Sequence, residues 1–305
     1  MTGLFSTRNR TAGELARALG RLGASDLPLL LEGETGTGKS FLAARIHRRF
    51  RASRPLVVLD CGVLPEGLLP SELFGHRAGA FTDATRSRVG WLERAADGTL
   101  VLDRIEALAP EAQVALLRVL EERRFSPVGS AAARPFRARV VALVGTGVSD
   151  FLAQGVLRRD LYHRLAGFHA ELLPLRRRPE DIVPFARAAV RRASRRLGRP
   201  LTLDAEAEAL LEVQAWPGNF RELATVLERA CLLAQGGTIG VADLGIGGES
   251  WESAAAVAAA RALPLERVSR LYALTVLAGE RGNVSRAARL LGVSRRTLIR
   301  WRQES

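Results

Sequence analysis

Gly33-Glu34-Thr35-Gly36-Thr37-Gly38-Lys39-Ser40 is the stretch of sequence that decides the fold. It fits the pattern G-x-x-x-x-G-K-[ST], in which the backbone N–H groups of a glycine-rich loop turn toward nucleotide phosphates at a helix N-terminus. Lys39 is then expected to reach the β- and γ-phosphates, and the Ser40 hydroxyl is expected to bind Mg²⁺. All eight residues of this loop are therefore predicted to hold ATP.

The segments on either side of the loop have the pattern that a nucleotide-binding α/β fold requires. LPLLLEG (27–33) predicts a buried strand that runs into the loop, and Lys39–Phe50 predicts the helix that follows it. Further apolar, β-rich runs cover residues 55–61, 98–105 and 138–145. They alternate with helical patterns such as Glu111–Glu122, which is typical of a mostly parallel sheet covered by helices.

The apolar run Thr99–Asp103 ends in an acid, Asp103, at the point where a strand is predicted to stop. Paired with the phosphate loop, this is a Walker B pattern, and Asp103 is expected to hold the Mg²⁺ shell together with Ser40.

Composition limits the class of protein. The formal net charge of +13 favours a polyanionic partner, and of the 45 basic residues only Lys39 is a lysine, the other 44 being arginine. No apolar run approaches the roughly 18 residues that span a bilayer, and the N-terminus has no signal-peptide core. Cys61 and Cys231 fit neither a disulfide framework nor a metal site. A cytoplasmic protein with no membrane partner is expected.

From about Leu175 the pattern becomes helical, with no strand signal. We predict an α/β nucleotide-binding part over residues 1–174, a helical part over 175–245, a linker over 246–262 and a small all-α part over 263–305. Gly236–Ser253 is rich in Gly and Ser, which also indicates a linker.

The C-terminal part has the pattern of a helix-turn-helix. Ala287, Ala288, Leu290 and Leu291 are predicted to form one apolar face, and Gly292 allows a sharp turn between helices. Ser294 is placed to cap a second helix, whose first residues are expected to meet base edges in the major groove. Major-groove contacts are assigned to Arg295, Arg296 and Thr297, and phosphate contacts to Arg286, Arg300 and Arg302.

The apolar stripe of Leu265–Leu277 is predicted to dimerise this module. A dimer would bind double-stranded DNA at a palindromic operator, with two half-sites about one helical turn apart.

Several further segments occur in the order found in one family. SELFGHRAGAFTDA (71–84), RVLEERRFSPVG (118–129), RRDLYHRLAGF (158–168), LLPLRRRPEDI (172–182) and WPGNFREL (216–223) resemble the AAA+ domain of the bacterial enhancer-binding proteins that activate sigma-54 RNA polymerase. The C-terminal segment resembles their Fis-type DNA-binding domain. The resemblance implies an AAA+ domain with a helical lid, assembled as a homo-oligomer between a dimer and a hexameric ring.

The resemblance also implies roles for individual residues. Arg158 and Arg164 match the arginines that are offered to a neighbour's nucleotide, and Arg221 matches the lid arginine that senses the γ-phosphate. The family's sigma-54 contact loop falls at Phe81, Thr82 and Asp83.

Four positions depart from the family pattern. The glutamate that polarises the attacking water is replaced by Arg104, and its asparagine partner by Asp60. The polar sensor at the end of the next strand is replaced by Gly145, and the loop motif GAFTGA carries Asp83 in place of its second glycine. Glu106 stands where the family has glycine, and we do not count it as a substitute for the lost glutamate. We predict a salt bridge between Arg104 and Asp60.

Three hypotheses follow. The first is a DNA-binding regulator that holds ATP as a structural or allosteric ligand with little hydrolysis. The second is a working sigma-54 activator that hydrolyses ATP to open promoter complexes. The third, a DNA-binding protein with a dead phosphate loop, is disfavoured because Lys39 and Ser40 are intact.

Overall fold

A computed structural model describes residues 4–63, 69–80, 86–246, 264–280 and 282–303. The chain divides into two compact units, with the division between Leu173 and Pro174. Residues 7–9 join the second unit, where Thr7 Oγ1 and the Arg8 N–H donate to the carboxylate of Asp181 over 2.5 and 2.6 Å.

The first unit is built on a five-stranded, wholly parallel sheet in the order β2-β5-β8-β1-β9. These strands are β1 (Leu29–Glu32), β2 (Leu56–Asp60), β5 (Thr99–Asp103), β8 (Arg139–Val144) and β9 (Phe168–Glu171). Two-residue strands form small antiparallel pairs beside it: β3 (Gly75–His76) with β4 (Arg88–Val89), and β6 (Arg124–Phe125) with β7 (Arg134–Pro135). The predicted parallel α/β fold is confirmed.

Helices cover both faces of this sheet, because every residue of β8 is buried and a strand buried on both sides needs a layer on each. They are α1 (Arg10–Leu22), α2 (Lys39–Phe50), α3 (Leu69–Phe74), α4 (Trp91–Ala95), α5 (Pro110–Glu122), α6 (Val148–Ala153) and α7 (Arg159–Leu165). One apolar core lies among α2, β1 and β8, and a second lies among α4, α5, α7 and β5.

The second unit begins with a helical lid. Its helices are α8 (Ile182–Leu197), α9 (Ala205–Val213), α10 (Asn219–Leu233) and α11 (Val241–Leu244). A pair of two-residue parallel strands, β10 (Thr202–Leu203) and β11 (Thr238–Ile239), closes it. The prediction of no strand after Leu175 was therefore wrong. The linker predicted over Gly236–Ser253 was wrong over residues 238–244, because Ile239 and Leu244 are fully buried in the lid core.

The same unit ends in three helices, α12 (Leu265–Gly279), α13 (Val284–Leu291) and α14 (Arg295–Gln303). Ala287 and Ala288 are buried as predicted, and Leu298 of α14 packs against them. Leu290 was wrongly placed on the buried face, since it is 64% exposed. Within α12, Leu271 packs into the lid core while Ala273 and Leu277 pack on α13 and α14.

Candidate nucleotide site and DNA-reading helices

The phosphate loop runs from the end of β1 to the start of α2, as the sequence predicted. Gly36 and Gly38 have φ angles of 79° and 102°, which favour glycine, so the loop turns tightly before the helix begins at Lys39. Gly33 is required for a different reason: a Cβ there would stand 2.9 Å from the Leu172 carbonyl oxygen. Lys39 Nζ donates to the carbonyl oxygens of Gly33 and Glu34, which holds the ammonium across the mouth of the loop.

Ser40 and Asp103 come together at the carboxyl end of the sheet. The Ser40 hydroxyl donates to Asp103 Oδ2 over 3.2 Å, although 63 residues separate them in sequence. A hydroxyl and a carboxylate oxygen at this spacing are the oxygen ligands that Mg²⁺ accepts beside the phosphates of a nucleotide. Among the described residues no group of three acidic, histidine or cysteine side chains forms a metal site of its own. The donor set therefore fits a Mg²⁺ ion that is shared with nucleotide phosphates.

The predicted salt bridge between Arg104 and Asp60 is confirmed. Arg104 Nε and Nη2 both donate to Asp60 Oδ1, over 2.9 and 2.6 Å. This hydrogen bond and the charge of Asp60 raise the pKa of Arg104 above its ordinary value. Arg104 has a φ of 57°, a left-handed conformation that is uncommon outside glycine and concentrates at functional sites. Its guanidinium lies over Gly62, where a Cβ would be only 2.6 Å away.

Glu106 contacts Gly145, which was not predicted from the sequence. Glu106 lies in the 3-10 turn Ile105–Ala107 after β5, and its Oε1 accepts a hydrogen bond of 3.0 Å from the Gly145 N–H. The signal that could have suggested it lies in the family pattern that the sequence resemblance implies, from which this chain departs both at Glu106 and at Gly145.

The two arginines expected to serve a neighbour's nucleotide are exposed and paired within their own chain. Arg158 contacts Asp160 through Nε and Nη2, at 3.1 and 2.7 Å, and Arg164 contacts Glu121 at 3.2 Å. The pair with Asp160 raises the pKa of Arg158 and lowers that of Asp160. Arg221 is exposed on the first turn of α10 in the second unit. The contact-loop residues Phe81, Thr82 and Asp83 lie outside the described residues.

The predicted turn and cap of the helix-turn-helix are in place. Asn283 Oδ1 accepts from the Arg286 N–H at 3.1 Å, and Ser294 Oγ accepts from the Thr297 N–H at 3.0 Å, so each helix has a side-chain N-cap. Gly292 lies between them with a φ of 64°. Arg295, Arg296 and Arg300 are exposed on α14.

Arg286 and Arg302 were both predicted to contact DNA phosphates. Arg286 is exposed on α13 and makes an ion pair with Glu280 at 2.7 Å. Arg302 belongs to α14, but its side chain is outside the described part of the structure.

Family models match these same parts of the chain in order. The sigma-54 interaction domain matches residues 5–171, the AAA+ ATPase lid domain matches 176–254, and the bacterial regulatory protein, Fis family, matches 264–304. This chain belongs to the family of bacterial enhancer-binding proteins. It belongs to the sigma-54-dependent transcriptional regulators and carries a Fis-type DNA-binding helix-turn-helix.

Individual relatives cover most of this enhancer-binding protein. It is 39% identical over 288 residues to the C4-dicarboxylate transport transcriptional regulatory protein DctD of Rhizobium meliloti, which covers 93% of this chain and 60% of DctD. It is 43% identical over 228 residues to the sigma54-dependent transcriptional activator SfnR of Pseudomonas putida, which covers 74% of this chain and 62% of SfnR. The chain thus spans about three fifths of the length of these relatives.

Solved structures of NtrX from Brucella abortus have the same fold. The complex with ADP superposes with a TM-score of 0.71 at 26% identity, over 97% of this chain and 68% of NtrX. The complex with ATP gives 0.70 at 27% identity, over 99% and 69%. No helix in the described part of this enhancer-binding protein is long and apolar enough to cross a membrane.

Proposed function

We propose that this protein is a DNA-binding transcriptional regulator that holds ATP with Mg²⁺ as a structural or allosteric ligand and hydrolyses it weakly or not at all. Binding rests on the phosphate loop. Lys39 would neutralise the β- and γ-phosphates, and Ser40 and Asp103 would hold the Mg²⁺ ion, which supplies charge neutralisation when bound. Nucleotide binding is supported by the related NtrX, whose structures contain ADP and ATP.

The observation that carries the loss of hydrolysis is the ion pair of Arg104 with Asp60. In the family this place holds a glutamate that polarises the attacking water, with an asparagine partner. A guanidinium has no lone pair to accept a proton, and here two of its three nitrogens, Nε and Nη2, donate to Asp60. The nearby Glu106 does not take over this role, because Oε1 is engaged by the Gly145 N–H and Oε2 is covered from solvent.

The main competing function is a working sigma-54 activator that uses ATP hydrolysis to open promoter complexes. The observation in its favour is that Arg158 and Arg164 are retained, and both lie exposed. In an assembled ring they would exchange Asp160 and Glu121 for a neighbour's phosphates, because guanidinium pairs with phosphate oxygens in two-pronged hydrogen bonds. Contact with sigma-54 through Phe81, Thr82 and Asp83 belongs to this second function.

The deciding experiment measures nucleotide binding and turnover in the same preparation of the full chain. A fluorescent ATP analogue with Mg²⁺ is titrated into the wild type and Lys39→Ala, and phosphate release is followed with and without duplex DNA. We expect binding that Lys39→Ala weakens at least tenfold, and turnover no faster than that of Lys39→Ala. Turnover that Lys39→Ala abolishes would establish the working motor instead.

A further inference from the structure

Glu106 brings a carboxylate to the place that a sensor side chain would occupy. Its Oε1 lies 3.0 Å from the Gly145 nitrogen, and a Cβ built on Gly145 would stand 3.1 Å from the same oxygen. The carboxylate therefore fills the space where a side chain at position 145 would begin. A polar but neutral group of the family is replaced here by a negatively charged group from another segment of the chain.

This carboxylate is attached directly beside the phosphate loop. Gly145 follows β8, and the preceding residue, Val144, accepts a hydrogen bond of 3.3 Å from the N–H of Gly33, the first residue of the loop. Glu106 and the loop thus contact adjacent residues of one strand end. A charge at this place acts on whatever the loop binds.

The charge of Glu106 is poorly compensated. Its Oε2 is buried, and no described residue gives that oxygen a hydrogen bond. Arg104 is close enough for Glu106 to contribute to its raised pKa, but its guanidinium is directed to Asp60, which makes the larger contribution. Among the described residues the carboxylate has one hydrogen-bond donor, the Gly145 N–H. Charge interactions are stronger in such a poorly solvated place than in water.

We propose that Glu106 makes the site prefer ADP to ATP. The γ-phosphate would bring about one further negative charge, and the carboxylate of Glu106 would repel it, whereas the loop amides would hold the α- and β-phosphates. Lys39 reaches the β- and γ-phosphates and would offset only part of this repulsion. This inference rests on the proposed function, since it requires that the phosphate loop binds nucleotide. The site would still hold ATP, as the proposed function requires, but it would bind ADP more tightly.

The test compares the dissociation constants of the N-methylanthraniloyl (mant) derivatives of ADP and ATP at equal Mg²⁺ in the full chain. In the wild type the ratio of the ATP constant to the ADP constant should exceed one. Glu106→Gln removes the charge but keeps an oxygen that can accept from the Gly145 N–H, and it should lower this ratio about tenfold, mainly through tighter ATP binding. Glu122→Gln removes an equal charge from an exposed position at the end of α5 and should leave the ratio unchanged.

The outcomes separate this inference from the function on which it rests. If both nucleotides bind and Glu106→Gln leaves the ratio at the wild-type value, with a thermal melting curve like that of the wild type, the assigned preference is wrong and the regulator remains. A variant that melts early is replaced by Glu106→Asp, which keeps the charge and should keep the ratio above one. If the wild type binds neither nucleotide more tightly than the Lys39→Ala variant does, both proposals fail.

Discussion

At the residue scale, the proposed loss of hydrolysis depends on position 104. Arg104 sits at the end of β5 beside Asp103, and Asp60 ends the neighbouring strand β2 in register with Asp103. The sequence resemblance implies that these two residues stand at the family's Glu–Asn pair, and their side chains carry opposite charges that contact each other. Because a cation and an anion at adjacent strand ends attract, this contact could be predicted from the sequence alone.

Restoring the two family residues at this place should not restore hydrolysis. In the double variant Asp60→Asn/Arg104→Glu the glutamate returns, but position 145 still lacks a side chain and Glu106 still occupies its space. We expect phosphate release to stay at the level of Lys39→Ala. Adding Glu106→Gly frees that space, and adding Gly145→Asn places a polar side chain in it. Turnover of ATP by this quadruple variant should then rise at least tenfold above that of the double variant.

Phosphate release measured on these variants at saturating ATP checks this prediction, with binding of the fluorescent ATP analogue as the control for an intact phosphate loop. Turnover by the double variant alone would show that positions 106 and 145 do not limit the reaction.

The contact between Glu106 and Gly145 could not be predicted in the same way. The two residues lie 39 positions apart, on different segments. The partner of the carboxylate is a backbone N–H, which every residue type except proline carries. A bond to the backbone of a glycine leaves no trace in the residue types of this chain alone, and only the departures from the implied family pattern at positions 106 and 145 point to it. Two hydrogen bonds that Lys39 donates to backbone carbonyl oxygens leave no such trace either.

At the scale of elements, the strands with long apolar runs were predicted correctly, and the two-residue strands of the lid were not. The sheet strands β1, β5 and β8 lie within the predicted apolar runs. Strands β10 and β11 are two residues long, too short for an alternating pattern, and β11 follows a glycine pair that predicted a linker. What fixes β11 is tertiary packing, since Ile239 is fully buried in the lid core.

The end of α1 depends on a buried arginine of β8. The Arg139 side chain is 1% exposed and donates to the carbonyl oxygens of Leu22, Gly23 and Leu27, which include carbonyls that the end of a helix leaves unpaired. Arg139→Met keeps the apolar volume but removes the side-chain donor from the Gly23 and Leu27 carbonyls, while the Leu22 carbonyl keeps its hydrogen bonds from Ser25. We expect the first unit to lose about 2–4 kcal/mol of unfolding free energy. Urea unfolding measures it, with Arg137→Met as the exposed control.

This loss should not vary with pH between 6 and 9. Burial lowers the pKa of Arg139 from its ordinary value to about 10, so both the folded and the unfolded chain hold the proton below pH 9. Above about pH 10 the folded state releases this proton before the unfolded state does, so stability rises with pH there. A stability difference that disappeared between pH 6 and 9 would show that another group is responsible.

At the scale of the whole molecule, the net charge of +13 and the match to a Fis-type helix-turn-helix point to DNA as the partner, but they do not say where on the surface the positive charge lies. The ion pairs of the structure locate it. Arg104, Arg158 and Arg164 are matched by carboxylates, as are Arg187 and Arg196 of the lid. Arg295 and Arg296 lie exposed on the capped helix α14, and the structure pairs neither with a carboxylate. Excess positive charge is therefore available where DNA reading is expected.

Two substitutions on α14 should separate base reading from phosphate binding. The probes are a duplex selected in vitro for binding to the full chain and a scrambled duplex of equal length. Arg296→Gln, near the helix N-terminus, should weaken binding to the selected duplex by about 1–3 kcal/mol and reduce its preference over the scrambled one. Arg300→Gln, one turn later, should weaken binding to both duplexes alike and lower the magnitude of the slope of log affinity against log salt by about one, because one phosphate is then no longer neutralised.

Arg187→Gln, in the lid, is the charge-matched control and should change neither the affinity for the two duplexes nor the salt slope. If Arg296→Gln and Arg300→Gln reduce specificity equally, α14 does not lie in the major groove with its N-terminal turn against the bases, and the assignment of Arg295, Arg296 and Thr297 to base edges is wrong.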